Sequence, residues 1–79
     1  MKNVTIYTKD YCPYCKAAKR MLRERGINYI EHDVQFDQVK MQEMIERSGR
    51  RTVPQVFSDN IHIGGHDDLV AYLLGQKAA

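Results

Sequence analysis

Cysteine is scarce in this chain: its 79 residues hold two, Cys12 and Cys15. A secreted domain of this size needs several bridges, so a disulfide scaffold is excluded. A single bridge between these two would add little, because it closes a loop of only four residues. Such a loop is worth roughly 2 kcal/mol in the chain-entropy model, against about 3 for fifteen residues. Something other than stability recommends the spacing. Long apolar runs are also missing. No stretch approaches the ~20 residues of a membrane-spanning helix, so no membrane association is expected. The opening residues, Met1 to Asp10, break the apolar run too early for a signal-peptide core and hold no small-residue cleavage site; a cytoplasmic protein is expected. Charge of one sign is lacking as well. Twelve Lys plus Arg against ten Asp plus Glu leave +2, too little to drive nucleic-acid binding unless the basic residues share a face. Repeats and low-complexity linkers are absent. With 43% hydrophobic and 28% charged residues, the chain is expected to form a single domain over residues 1–79, acting as a monomer.

The residues present divide into recognisable elements. Val4 to Thr8 is β-branched and aromatic, which predicts a first strand. Pro13 suits a first helical position, Ala17, Ala18, Met21 and Leu22 recur at three-and-four spacing, and Gly26 is a natural stop. A helix over Pro13 to Arg25 follows. Tyr29 to Val34 predicts a second strand, parallel to the first because a helix crosses between them. Met41, Met44 and Ile45 mark the core face of a second helix ending at Ser48 and Gly49. Gln55 to Ser58 and Ile61 to Ile63 flank the turn pair Asp59 and Asn60 as an antiparallel hairpin, after which Gly64 and Gly65 break the sheet. Asp67 and Asp68 then open a third helix carrying Leu69, Val70, Leu73 and Leu74. The expected fold class is α/β, one four-stranded mixed sheet with three helices in the order βαβαββα.

The chemistry centres on Cys12-Pro13-Tyr14-Cys15, placed where the first strand gives way to the first helix. At the cap position Cys12 meets free backbone N–H groups and the positive end of the helix dipole, which favour a thiolate over a thiol. Lys9 and Lys16 act in the same direction. Cys12 is therefore the expected attacking sulfur. Cys15 lies one turn further on nearly the same face, within disulfide reach, and is the expected resolving sulfur. A zinc site is the rival reading, with His62 and His66 as further ligands. However, 46 residues lie between Cys15 and His62, far more than a short finger spacer, and no metal site is expected. A CxxC opening the helix of a βαβ unit is a redox signal.

Lys9, the CPYC motif, Thr52-Val53-Pro54 before the third strand and Gly64-Gly65-His66-Asp67-Asp68 before the last helix together resemble the glutaredoxins, in particular their short bacterial dithiol type. The similarity runs from about Val4 to Leu74. It implies a thioredoxin-like fold and a glutathione-dependent thiol–disulfide oxidoreductase that reduces protein disulfides and glutathione mixed disulfides. Glutathione is then reductant and co-substrate, and no tightly bound cofactor is implied. The partners implied are disulfide-bonded or glutathionylated proteins, with ribonucleotide reductase a candidate. The resemblance makes Pro54 cis and places the Thr52-Val53 backbone beside the CxxC, where it can pair with an extended peptide as a strand does. Gly65, Asp67 and Asp68 are implied to hold the γ-glutamyl end of glutathione, although either aspartate can instead be a plain helix cap. Lys9 and Tyr14 flank the cleft, and a lysine there suits the glycyl carboxylate.

One position departs from the family pattern. A Gln or Arg usually stands on the second helix where this chain has Met41; Lys40, Gln42, Arg47 or Arg51 are the candidates to compensate. His66 is assigned no role, and His32 is assigned to the strand surface or core. Three other functions stay open at this level. An electron donor to ribonucleotide reductase served by thioredoxin reductase would share the CxxC, but such proteins carry a Trp-Ser-Gly-Phe-type stretch after the hairpin and this chain has no tryptophan. The others are an iron–sulfur module bridging two chains and a zinc-binding domain.

Overall fold

The computed structural model describes residues 1–75; the last four residues of the expected 1–79 domain lie outside the described residues. Seven elements follow in order: β1 (Val4–Thr8), α1 (Pro13–Glu24), β2 (Tyr29–Asp33), α2 (Gln38–Ser48), β3 (Gln55–Ser58), β4 (Ile61–Gly64) and α3 (His66–Gly75). The strands form one sheet in the order β2-β1-β3-β4. β1 runs parallel to β2 and antiparallel to β3, and β3 pairs antiparallel with β4. This is the mixed βαβαββα arrangement the periodicity predicts.

Alternate residues of the two central strands fill two separate cores, because successive side chains point to opposite faces. Val4, Ile6 and Val56 pack with Ala18 and Leu22 of α1 and with Leu69 and Leu73 of α3. Tyr7 and Phe57 pack on the other side with Val34 and with Met44 of α2. Both central strands are covered on two faces, so neighbouring residues such as Ile6 and Tyr7, or Val56 and Phe57, are all buried. Gly26 and Gly49 terminate α1 and α2 with φ of +69° and +71°, a conformation that a side chain disfavours.

Three element ends differ from expectation by one residue: α1 stops at Glu24, β2 stops at Asp33 and β4 runs on to Gly64. Gly64 does not break the sheet but ends β4, paired with Val56 beyond a register shift at Val56 and Phe57. α3 starts at His66, with the expected acidic pair in its first turn. The register then fixes where chemistry can gather. Tyr7 pairs with Gln55 and Val56 with Gly64. The end of β1, the start of β3 and the end of β4 therefore lie at the same end of the strands, and the three segments singled out by their motifs meet there.

Candidate functional site

Cys12 occupies the N-cap of α1 with extended backbone angles, φ −90° and ψ 109°. Its N–H donates to the Lys9 carbonyl at 3.2 Å. Its Sγ accepts the Cys15 N–H at 3.1 Å. Pro13, next in line, starts the helix at a position whose N–H would have no helical partner. The sulfur thus sits where the first turn offers its unpaired N–H groups, at the positive end of the helix dipole.

The two sulfurs are unequal. Both cysteines are unbridged, with Cys12 7% exposed and Cys15 1%. Burial, and after it the hydrogen bond to Cys12, pushes the Cys15 thiol up to about 12. Cys15 is therefore a neutral thiol at pH 7, adjacent to the more accessible Cys12.

A second segment closes over Cys12. The Val53–Pro54 peptide is cis, and the Cys12 thiol points at the Val53 carbonyl from 3.8 Å. Thr52 is held by the buried Gln55, whose Nε2 donates to the Thr52 carbonyl at 3.0 Å and to its Oγ1 at 3.2 Å. The third segment is the β4–α3 junction. Gly65 is the N-cap of α3 and has no side chain to offer; instead the Asp68 carboxylate reaches back and accepts the Gly65 N–H at 2.9 Å. This is the return half of a capping box. Arg50 donates to the same oxygen at 3.2 Å. The Gly65 N–H, and after it Arg50, holds the Asp68 carboxyl below the usual range. Gly64 has φ +123°, and a Cβ there would lie 2.6 Å from the Cβ of Asp68, so both backbone and space demand glycine. Asp67 projects into solvent with its carboxylate 3.0 Å from His66 Nδ1.

The sequence profile of the glutaredoxin family matches residues 4–63. The chain is 54% identical over 71 residues to glutaredoxin 3 of Escherichia coli K12, covering 90% of this chain and 86% of that protein. The chain belongs to the glutaredoxin family. Glutaredoxins are thiol–disulfide oxidoreductases, and this chain carries their paired cysteines at Cys12 and Cys15. Among solved structures, a Brucella melitensis glutaredoxin is 44% identical, with a TM-score of 0.80 over 99% of this chain and 85% of that one. A buckwheat glutaredoxin–glutathione complex is 26% identical, with a TM-score of 0.80 over 95% of this chain and 72% of that one. The thioredoxin-like architecture expected of a glutaredoxin is thereby established.

Beside the glutaredoxin cysteines lies a groove of about 310 Å³, lined by Tyr14, Thr52, Val53, Pro54, Gly65, Asp67 and Asp68 together with Arg50, Gln55 and His66. It unites seven of the eight residues expected to bind glutathione. Lys9 is not among the lining residues; it contributes its carbonyl to the Cys12 N–H.

The structure also places the side chains considered as substitutes at Met41. Met41 packs against the Tyr7 and Phe57 core. Lys40 pairs with Glu43 on its own helix. Arg47 lies over the Phe57 ring at 4.0 Å and donates to the Tyr7 hydroxyl at 2.7 Å. Neither Lys40, Gln42, Arg47 nor Arg51 lines the groove; Arg50 does. Two adjacent arginines follow Gly49, and spacing alone does not say which faces inward. The zinc reading loses its histidines to other partners, since His62 bonds Gln55 and His66 bonds Asp67. Among the described residues no cluster of three or more His, Cys, Asp or Glu is arranged to hold a metal ion, and no helix is long and apolar enough to cross a membrane.

Proposed function

We propose that this glutaredoxin uses glutathione to reduce glutathionylated proteins and protein disulfides, with Cys12 as nucleophile and Cys15 as resolving thiol. The observation that carries the reading is the position of Cys12 Sγ. It caps a helix at 3.1 Å from the Cys15 N–H and stands 3.8 Å from the carbonyl of Val53, a residue of the groove wall. An extended tripeptide laid along Thr52, Val53 and Pro54 would pair with the Val53 backbone as an added strand does, bringing its own sulfur to Cys12.

Its two ends meet different chemistry. The γ-glutamyl end carries a carboxylate and an amine. The first-turn N–H groups of α3 have no capping side chain at Gly65 and suit the carboxylate. Asp67, exposed at the groove wall, suits the amine, whereas Asp68 is engaged with Gly65 and Arg50. Lys9 and Tyr14 are assigned to the glycyl end. The reading includes a single domain over residues 1–79, a monomer working in the cytoplasm, and no tightly bound cofactor.

The exchange balances in two steps. Cys12 thiolate attacks the glutathione sulfur of a mixed disulfide, forming a Cys12–glutathione disulfide and releasing the substrate as thiolate. A second glutathione thiolate attacks the bound glutathione sulfur, releasing Cys12 thiolate and glutathione disulfide. With a protein disulfide, Cys12 becomes joined to the substrate and Cys15, on losing its proton, attacks Cys12 and frees the second substrate thiol. The Cys12–Cys15 disulfide is then reduced by two glutathiones. The test is turnover of a glutathione mixed disulfide in an assay coupled to glutathione reductase and NADPH. Catalysis well above background that disappears in Cys12→Ser supports the reading; background rates from the wild type would overturn it.

A further inference from the structure

Gln55 is 1% exposed, yet its amide is fully engaged. Its nitrogen end has two oxygen partners, the Thr52 carbonyl at 3.0 Å and the Thr52 Oγ1 at 3.2 Å. A carbonyl only accepts, so the NH₂ must face Thr52 and the amide oxygen must face the other way. There it meets His62 Nε2 at 2.7 Å. An amide oxygen also only accepts, so His62 carries its hydrogen on Nε2. Donation therefore runs in one direction, from His62 to Gln55 to Thr52.

The far end of this chain is fixed by packing. His62 stands directly across the β3–β4 ladder from Phe57, and their rings stack with centroids 4.9 Å apart. The near end is the segment whose next carbonyl, that of Val53, lies 3.8 Å from Cys12 Sγ. Gln55 is buried, His62 half-buried and Thr52 exposed, so burying the Gln55 amide is costly unless it is paired, and both its ends are.

We infer that Gln55 and His62 are positioning residues for catalysis: the hydrogen-bond chain from β4 fixes the Thr52-Val53 backbone in the orientation that receives the substrate's glutathione moiety. The inference rests on the glutathione reading proposed above and adds two residues to it, neither touching the reacting sulfurs. Removing the chain leaves the nucleophile intact but lets the docking strand wander.

The experiment compares His62→Phe, which keeps an aromatic ring against Phe57 but has no N–H, with Gln55→Met, which keeps length but has no amide. Each is assayed for KM and kcat on a glutathione mixed disulfide and for the rate of Cys12 alkylation by iodoacetamide. Loss of one hydrogen bond in His62→Phe predicts KM raised about three- to tenfold, and loss of all three contacts of the amide in Gln55→Met predicts a rise at least as large, with kcat and alkylation rate near wild type in both. Unchanged KM accompanied by a lowered unfolding midpoint would make the pair merely structural and overturn the inference. Slower alkylation with lower kcat would also overturn it, by placing the effect on the thiol. Should Gln55→Met fail to fold, His62→Phe on the edge strand decides alone. Wild-type protein without glutathione turnover sinks the underlying reading; wild-type turnover with an unmoved KM in the variants sinks this inference only.

Discussion

The N-termini of α1 and α2 are built alike and put to different use. In each, an extended N-cap residue accepts the N–H three positions on: Cys12 Sγ from Cys15 at 3.1 Å, Asp37 Oδ1 from Lys40 at 3.0 Å. The backbone angles nearly coincide, with φ −90° at Cys12 and −104° at Asp37. The difference lies in the capping atom. A carboxylate is charged throughout the neutral range, so the interaction at Asp37 simply stabilises the folded chain. At Cys12 the capping atom is a sulfur, the group that the proposed function makes the attacking one. On that reading an ordinary structural device becomes a catalytic one by exchange of a single atom type.

Replacing each cap should separate the two uses. Cys12→Ser keeps a good capping oxygen and removes the nucleophile, so coupled turnover should fall to background while the unfolding midpoint stays close to wild type. A large loss of stability in this variant would mean that the sulfur caps mainly for the fold. Next in size is Cys15→Ser, which should retain deglutathionylation and lose protein-disulfide reduction, measured side by side on the two substrate types. Cys15 also has a pH signature. Its folded value of about 12 lies above the ordinary 9.0, so its contribution to stability is full below pH 9 and is lost as pH rises toward 12. Thermal unfolding of the reduced wild type should therefore decline more steeply across that window than that of Cys15→Ser.

Asp37→Ala is the converse of Cys12→Ser. It should leave turnover at 25 °C unchanged and cost about 1 kcal/mol of stability. For a domain of this size that is a fall of about 4–8 °C in the unfolding midpoint. Activity loss in the soluble, folded variant would show that α2 reaches the site by a route its contacts do not reveal.

What the chain discloses in advance follows from how local each signal is. Strand and helix identity rests on spacings of two to four residues, which the chain displays directly, as do the stops at Gly26 and Gly49. The site is different. Cys12, Val53 and Gly65 are dispersed along the chain and meet because β1, β3 and β4 are aligned at one end of the sheet, a consequence of register that no short window contains. Their grouping is legible through the family motifs alone. Arg50 escapes both approaches because the turn at Gly49, with φ +71°, decides which of two neighbouring arginines faces the groove. The Gln55–His62 pair leaves a fainter trace: with Ser58 they are the polar residues of the two hairpin strands.

The third helix offers the mildest test, because its cap is shared between fold and groove. Gly65 has no side chain, and Asp68 answers its N–H from within the first turn while also pairing with Arg50. The Asp68 carboxyl is held below its usual 3.8 by the Gly65 N–H and Arg50, so its contribution is present above pH 3.8 and is lost as pH falls further. The pair is half exposed, which screens it and keeps the effect small. Asp68→Asn should lower the unfolding midpoint slightly at pH 7, and the gap from wild type should close on acidification below pH 3.8. Because this substitution leaves Asp67 and the backbone N–H groups in place, KM for a glutathione mixed disulfide should change less than in Asp67→Asn. A larger KM effect at position 68 than at 67 would reverse the two assignments, making Asp68 the glutathione ligand and Asp67 the bystander.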